Sequence, residues 1–271
     1  MKRHVFIISD GTGITAESLA HSLMTQFDNV EFEAQTIPYL DSIEKAKAFI
    51  SELESCQEKS GSVPLVFMTL VNLEISRYIK QSKACVFDLF TTFLAPMEEE
   101  LQTKSSYTVG KSHGVANVES YNHRIDAVNY TLSHDDGIKI SDYAKADIVL
   151  IGVSRCGKTP SCLYMALQFG ILAANYPFTD EDLSDLRLPE VLKPYKNKLF
   201  GLTIDPERLQ HIRTERRPNS IYASQEQCRL ETSEVEAMYI QENIPFINST
   251  RYSIEEIATK IMTAAGLKRR L

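Results

Sequence analysis

The chain has 271 residues, 43% hydrophobic and 24% charged, a size that makes one large domain or two modest ones and buries a core without disulfide or structural metal. The longest apolar runs, near 64–70 and 148–153, are strand-sized, so no membrane-spanning helix is expected, and the apolar run at the N-terminus is too short for a signal peptide. The formal net charge of −7 argues against broad nucleic-acid binding. The five cysteines (Cys56, Cys85, Cys156, Cys162, Cys228) show no C-x-x-C spacing and no clustering with the histidines. That argues against a zinc site or disulfide framework and for a reducing cytoplasm.

In chain order, residues 4–8 predict a short buried strand and 15–27 a helix with Leu19, Leu23 and Phe27 on one stripe. A strand at 31–37, a helix at 42–57, a buried strand at 63–70 and helices at 73–81 and 93–103 follow. Residues 104–119, rich in Ser, Gly, Asn and Lys, break this rhythm and read as a connection carrying Lys111 and His113. After a helix at 120–133 a second unit begins. It has strands at 147–153, 171–175, 198–204 and 245–248, and helices at 160–169, 206–217, 225–242 and 254–267. Ser253 suits the cap of the closing helix. The expected class is α/β, an N-terminal Rossmann-like half (1–104), a connecting loop and helix (105–145), and a P-loop kinase-like half (146–271).

Gly152-Val153-Ser154-Arg155-Cys156-Gly157-Lys158-Thr159 fits G-x-x-x-x-G-K-[ST] at every fixed position, between an apolar strand and Pro160 in a first helical turn. Two glycines let the backbone curl so that N–H groups meet phosphate oxygens. Lys158 supplies a point charge and the Thr159 hydroxyl is placed for Mg²⁺. Downstream, the arginine-studded 206–217 segment resembles the lid of small P-loop kinases, with Arg213 and Arg217, four apart, as the pair expected to share a face. Asp205 suits a helix cap better than a Mg²⁺ acid. His134-Asp135-Asp136-Gly137 holds two carboxylates able to orient Mg²⁺ or take a proton, although a helix-ending turn with Gly137 left-handed explains the residue types more simply. The 9–13 loop, Ser9-Asp10-Gly11-Thr12-Gly13, stands where an open sheet binds anions, but a capping turn explains it equally well.

These segments taken together (HVFIISDGTG at 4–13, HDDG at 134–137, GVSRCGKTP at 152–160, AANYP at 173–177 and GLTIDPER at 201–208) resemble the dikinase regulatory proteins of bacteria and plants over essentially the whole chain. The resemblance implies a bifunctional enzyme. One activity would use ADP to phosphorylate a threonine of the dikinase target, releasing AMP. The other would use inorganic phosphate to remove that phosphate, releasing pyrophosphate. It implies that residues 152–159 bind the nucleotide, with Lys158 and Arg155 acting on the moving phosphoryl group and Asp135 or Asp136 as candidate base. Cys156-Gly157 resembles the branch that acts on phosphoenolpyruvate synthase. The motif alone leaves two rivals, an ATP-dependent small-molecule kinase and a nucleotide-dependent binding switch that modifies nothing. A homo-oligomer stays open.

Overall fold

The computed structural model describes residues 1–108, 118–184 and 187–270. The chain divides into two compact units, Met1–Gly114 and Val115–Leu271. The candidate residues Lys111 and His113 lie outside the described residues.

In the first unit, β1 (Lys2–Ser9), α1 (Ile14–Met24), β2 (Glu31–Ile37), α2 (Ile43–Ser60), β3 (Leu65–Thr69), α3 (Leu73–Lys80), β4 (Cys85–Asp88) and α4 (Leu89–Leu101) alternate. The strands form a parallel sheet in the order β2-β1-β3-β4. The continuous apolar runs of β1 and β3 follow from that position, since an inner parallel strand is covered on both faces. Phe6, Ile8, Phe49, Met68 and Ile75 fill one side, and Val5, Ile7, Ala16, Ala20 and Phe67 the other. The short strand β4 escapes sequence analysis. Helix α4 begins at Leu89 and not at 93, because Asp88 caps it by accepting from the Thr91 N–H.

The second unit repeats the wiring. It runs α5 (Val118–Ser133), two 3-10 turns at Asp135–Gly137 and Ile140–Lys145, β5 (Ile148–Gly152), α6 (Lys158–Phe169), β6 (Ala173–Pro177) and α7 (Asp180–Ser184). Then come β7 (Leu199–Thr203), α8 (Pro206–Arg216), a 3-10 turn at Ile221–Ala223, α9 (Gln225–Gln241), β8 (Phe246–Asn248) and α10 (Ile254–Ala264). The parallel order is β6-β5-β7-β8. All five residues of β5 are buried, at the centre of a core that includes Met165, Phe200, Leu202, Tyr239 and Ile261. Helix α5 and the turns after it group with this unit and not with a separate connection. The Thr131 hydroxyl at the end of α5 bonds the Ala173 carbonyl of β6 at 2.8 Å. Ser253 caps α10 in a full capping box with Glu256.

In each sheet the chain leaves the first strand in opposite directions, to one neighbour and later to the other. Open parallel sheets bind ligands beyond the carboxyl ends of strands at such a switch point. The two places are the loop after β1 and the loop after β5. Among the described residues, no helix is long and apolar enough to cross a membrane.

Candidate active site

Behind β5 the chain turns through residues 153–157 into α6. Gly152 is dictated by space, since a Cβ there would lie 2.3 Å from the Leu202 carbonyl oxygen. Gly157 caps α6 in the left-handed conformation, φ 99°, and a Cβ there would meet nothing within 4 Å, so the space before it is open. Arg155 is also left-handed, φ 77°, a strained state for a non-glycine residue. The first N–H groups of α6 have no partner inside the helix and carry its positive end.

The loop is tied from behind. Tyr239, fully buried, donates to the Ile151 carbonyl at 3.0 Å, and Ser249 donates to the Cys156 carbonyl at 2.9 Å. Arg213 donates to the Ser154 carbonyl at 3.2 Å, and the Tyr222 hydroxyl to Ser154 Oγ at 3.0 Å. Lys158 is buried, its Nζ donating to the carbonyls of Gly152 at 3.0 Å and Val153 at 2.8 Å.

The acidic turn comes from the other side. After α5, Asp136 and Gly137 both take positive φ, 49° and 75°. This is the helix-ending turn that the residue types suggested, with Asp136 left-handed as well. It also serves the loop: Asp135 Oδ1 accepts from the Thr159 hydroxyl at 2.8 Å and from Asn175 Nδ2. The Asn175 Oδ1 accepts from the Asp136 N–H at 3.2 Å. A cleft of about 470 Å³ opens between turn and loop, with Asp135, Asp136, Arg155, Lys158, Thr159 and Arg216 among its walls.

The structure therefore brings together Asp135, Asp136, Ser154, Arg155, Gly157, Lys158 and Thr159. Gly152, Val153 and Cys156 are buried within the loop. Burial pushes the Cys156 thiol up, so it stays protonated near neutrality.

Arg213 and Arg217 do not form a pair facing the site. Helix α8 ends at Arg216, and Arg217 is its non-helical cap, φ −141°, so the four-residue spacing carries no shared face. Arg213 is 0% exposed, bonded to both Glu231 carboxylate oxygens at 2.9 and 2.6 Å and lying 4.0 Å over the Tyr222 ring. It braces the loop and is not a mobile lid. Arg216, one of the arginines of the lid-like segment, lines the cleft instead, although the spacing singled out Arg213 and Arg217. Asp205 caps α8 by accepting from the Glu207 N–H at 2.9 Å.

At the first unit's switch point the side chains are spent internally. Asp10 accepts from the Val71 N–H at 2.6 Å, Ser9 Oγ accepts from the Gly11 N–H at 3.1 Å, and Gly13 caps α1. The capping turn describes this loop.

The donor set before the loop is all oxygen, a threonine hydroxyl beside carboxylates, which is what Mg²⁺ prefers. Among the described residues, no group of three or more His, Cys, Asp or Glu side chains could hold a metal alone. Any Mg²⁺ would complete its shell with phosphate oxygens and water, as it commonly does.

Residues 5–262 match the family described as Kinase/pyrophosphorylase. A protein of Legionella pneumophila (strain Corby) is 68% identical over 271 residues, covering 100% of both chains. A protein of Hahella chejuensis is 55% identical over 271 residues, again 100% of both. A protein of Pseudomonas aeruginosa (strain LESB58) is 54% identical over 270 residues, 100% of this chain and 98% of that one. Each carries a name that assigns it, provisionally, as a phosphoenolpyruvate synthase regulatory protein.

Proposed function

The chain belongs to the kinase/pyrophosphorylase family, and from that premise we propose that it regulates phosphoenolpyruvate synthase by moving a phosphoryl group on and off one of its threonines. The donor is ADP, and the reverse agent is inorganic phosphate. The observation that carries this reading is the meeting of the Thr159–Asp135 pair and the glycine-rich loop in one cleft.

In the forward reaction the threonine oxygen bonds to the β-phosphorus of ADP, the bond from that phosphorus to the bridging oxygen breaks, and AMP leaves. The hydroxyl proton passes to Asp136, which is exposed on the cleft wall. In the reverse reaction a phosphate oxygen bonds to the phosphothreonine phosphorus, the phosphorus–threonine bond breaks, and pyrophosphate leaves. The threonine oxygen recovers its proton from Asp136. Both directions place two phosphates on one cradle, so one loop serves both by position and charge. The α6 N-terminus and the loop N–H groups hold the diphosphate. Lys158 exchanges its carbonyl partners for phosphate oxygens, and Arg155 and Arg216 offset charge in the transition state. Thr159 and Asp135 would hold Mg²⁺, which when bound neutralises charge on the diphosphate.

The test mixes the protein with phosphoenolpyruvate synthase, phosphoenolpyruvate, Mg²⁺ and either ADP or ADP-free ATP, and reads the synthase by phosphopeptide mass spectrometry. A new phosphothreonine with ADP alone is expected. Lys158→Ala should lower both activities by about 100-fold or more, the scale of losing one preorganised charge donor. Loss of the kinase activity alone would refute a shared cradle. No modification with either nucleotide would remove the protein-kinase reading and leave a small-molecule kinase.

A further inference from the structure

The AANYP segment at 173–177 has no part in the reaction described above, yet its asparagine sits beside the acids. Asn175 is 0% exposed, in the middle of β6 and in register with Leu150 of β5. A buried primary amide costs stability unless its donors and acceptor are used. Asn175 uses them on two successive residues. Its Nδ2 donates to Asp135 Oδ1, and its Oδ1 accepts from the Asp136 N–H at 3.2 Å. One amide thus holds the side chain of the first acid and the backbone of the second. The first is kept against the Thr159 hydroxyl, at 2.8 Å. The second stands at φ 49°, a left-handed state that aspartate tolerates better than most residues, and the bond to its N–H helps to hold it there.

We propose that Asn175 is a positioning residue for phosphoryl transfer. It touches neither nucleotide nor target and acts through the two aspartates, giving them different tasks. Asp135, with one oxygen taken by two donors, anchors Thr159; Asp136, presented to the cleft, exchanges the proton. This inference rests on the phosphotransferase reading above.

The experiment compares the intact protein with Asn175→Ala, Asp135→Ala and the double variant. Synthase turnover is measured alongside calorimetric ADP binding with and without Mg²⁺. Asn175→Ala should lower kcat about tenfold or more and shrink the Mg²⁺-dependent gain in ADP affinity, while ADP binding without Mg²⁺ stays within about twofold. The double variant should be slower than Asp135→Ala by a smaller factor than Asn175→Ala costs on its own, because one of the two aspartates through which Asn175 acts is already gone. Losses that multiply, or an unchanged kcat in Asn175→Ala, overturn the proposal. Asn175→Asp keeps the volume and turns an oxygen toward Asp135, so it decides the matter if the alanine variant fails to melt cooperatively. It should lose at least as much turnover, and wild-type turnover in it overturns the proposal. If the unaltered protein leaves the synthase unmodified with ADP, the protein-kinase reading falls and this inference with it. If that protein is active and the losses multiply, this inference alone falls.

Discussion

Gly152 is the tightest point of the glycine-rich loop. Gly152→Ala would press a methyl group onto the Leu202 carbonyl oxygen at 2.3 Å, with Cys156 Sγ only 3.0 Å away. Backbone must move to relieve this, so a loss of at least about 2 kcal/mol is expected in urea unfolding, together with loss of nucleotide binding. Arg213→Ala should cost more, about 3–5 kcal/mol, because it leaves the Glu231 carboxylate buried without its partner. Replacing both by methionine should cost much less by the same measurement, since no charge is then stranded. The G-x-x-x-x-G-K-T spacing made Lys158 and Thr159 legible as neighbours on one cleft, for they belong to one contiguous stretch. Asn175 was not legible as a partner of Asp135: 40 positions separate them, and only the β5–β6 pairing and the turn after α5 bring them together. The burial of Arg213 was equally hidden, because an arginine-rich helix looks solvated until the helix that covers it is known.

At the scale of elements, periodicity and caps placed most helices and strands of both halves, often to within a residue or two. β2 and the start of α3 came out as expected, and Ser253 announced α10. The failure at β4 and α4 has a local cause. The strand is four residues long and runs into the helix through Asp88, leaving no turn to separate the two patterns. Asp88 is worth a test. Burial alone would raise its pKa, but the Lys80 ammonium at 2.6 Å and the hydroxyls of Thr91 and Ser76 outweigh it and hold the carboxyl below the usual value. A folded pKa below the unfolded one means that the stabilisation is present above about pH 4 and lost as pH falls through the folded value. Asp88→Asn should therefore cost about 1–2 kcal/mol near neutrality and nothing further in acid. Urea midpoints by circular dichroism at pH 6 and pH 3 should differ less in the variant than in the unaltered protein.

On the scale of the whole chain, two units share one strand order but use their switch points differently. In the second, the turn holding Asp135 and Asp136 and the open Gly157 leave a polar cleft. In the first, Asp10 ties the turn to the backbone at Val71 and Ser9 accepts from the Gly11 N–H within it. The core of the second unit draws only on residues of that unit, as do the walls of its cleft. A fragment of residues 115–271 is therefore expected to fold and to bind ADP in calorimetry, with an affinity within about tenfold of the full chain. An unfolded fragment would show that the division is geometric only. The bracing of Ser154 bears on how genetics would read this molecule. Arg213 and Tyr222 reach the loop from α8 and the 3-10 turn after it, and Glu231 of α9 holds Arg213. A random screen for inactive alleles would collect hits at those three positions beside the hits at Lys158. Sorted by phenotype alone, they would pass for a second catalytic cluster. Suppressors would tell them apart: compensating changes elsewhere in the fold should rescue alleles of Arg213 or Glu231, and none should rescue an allele that lacks the lysine.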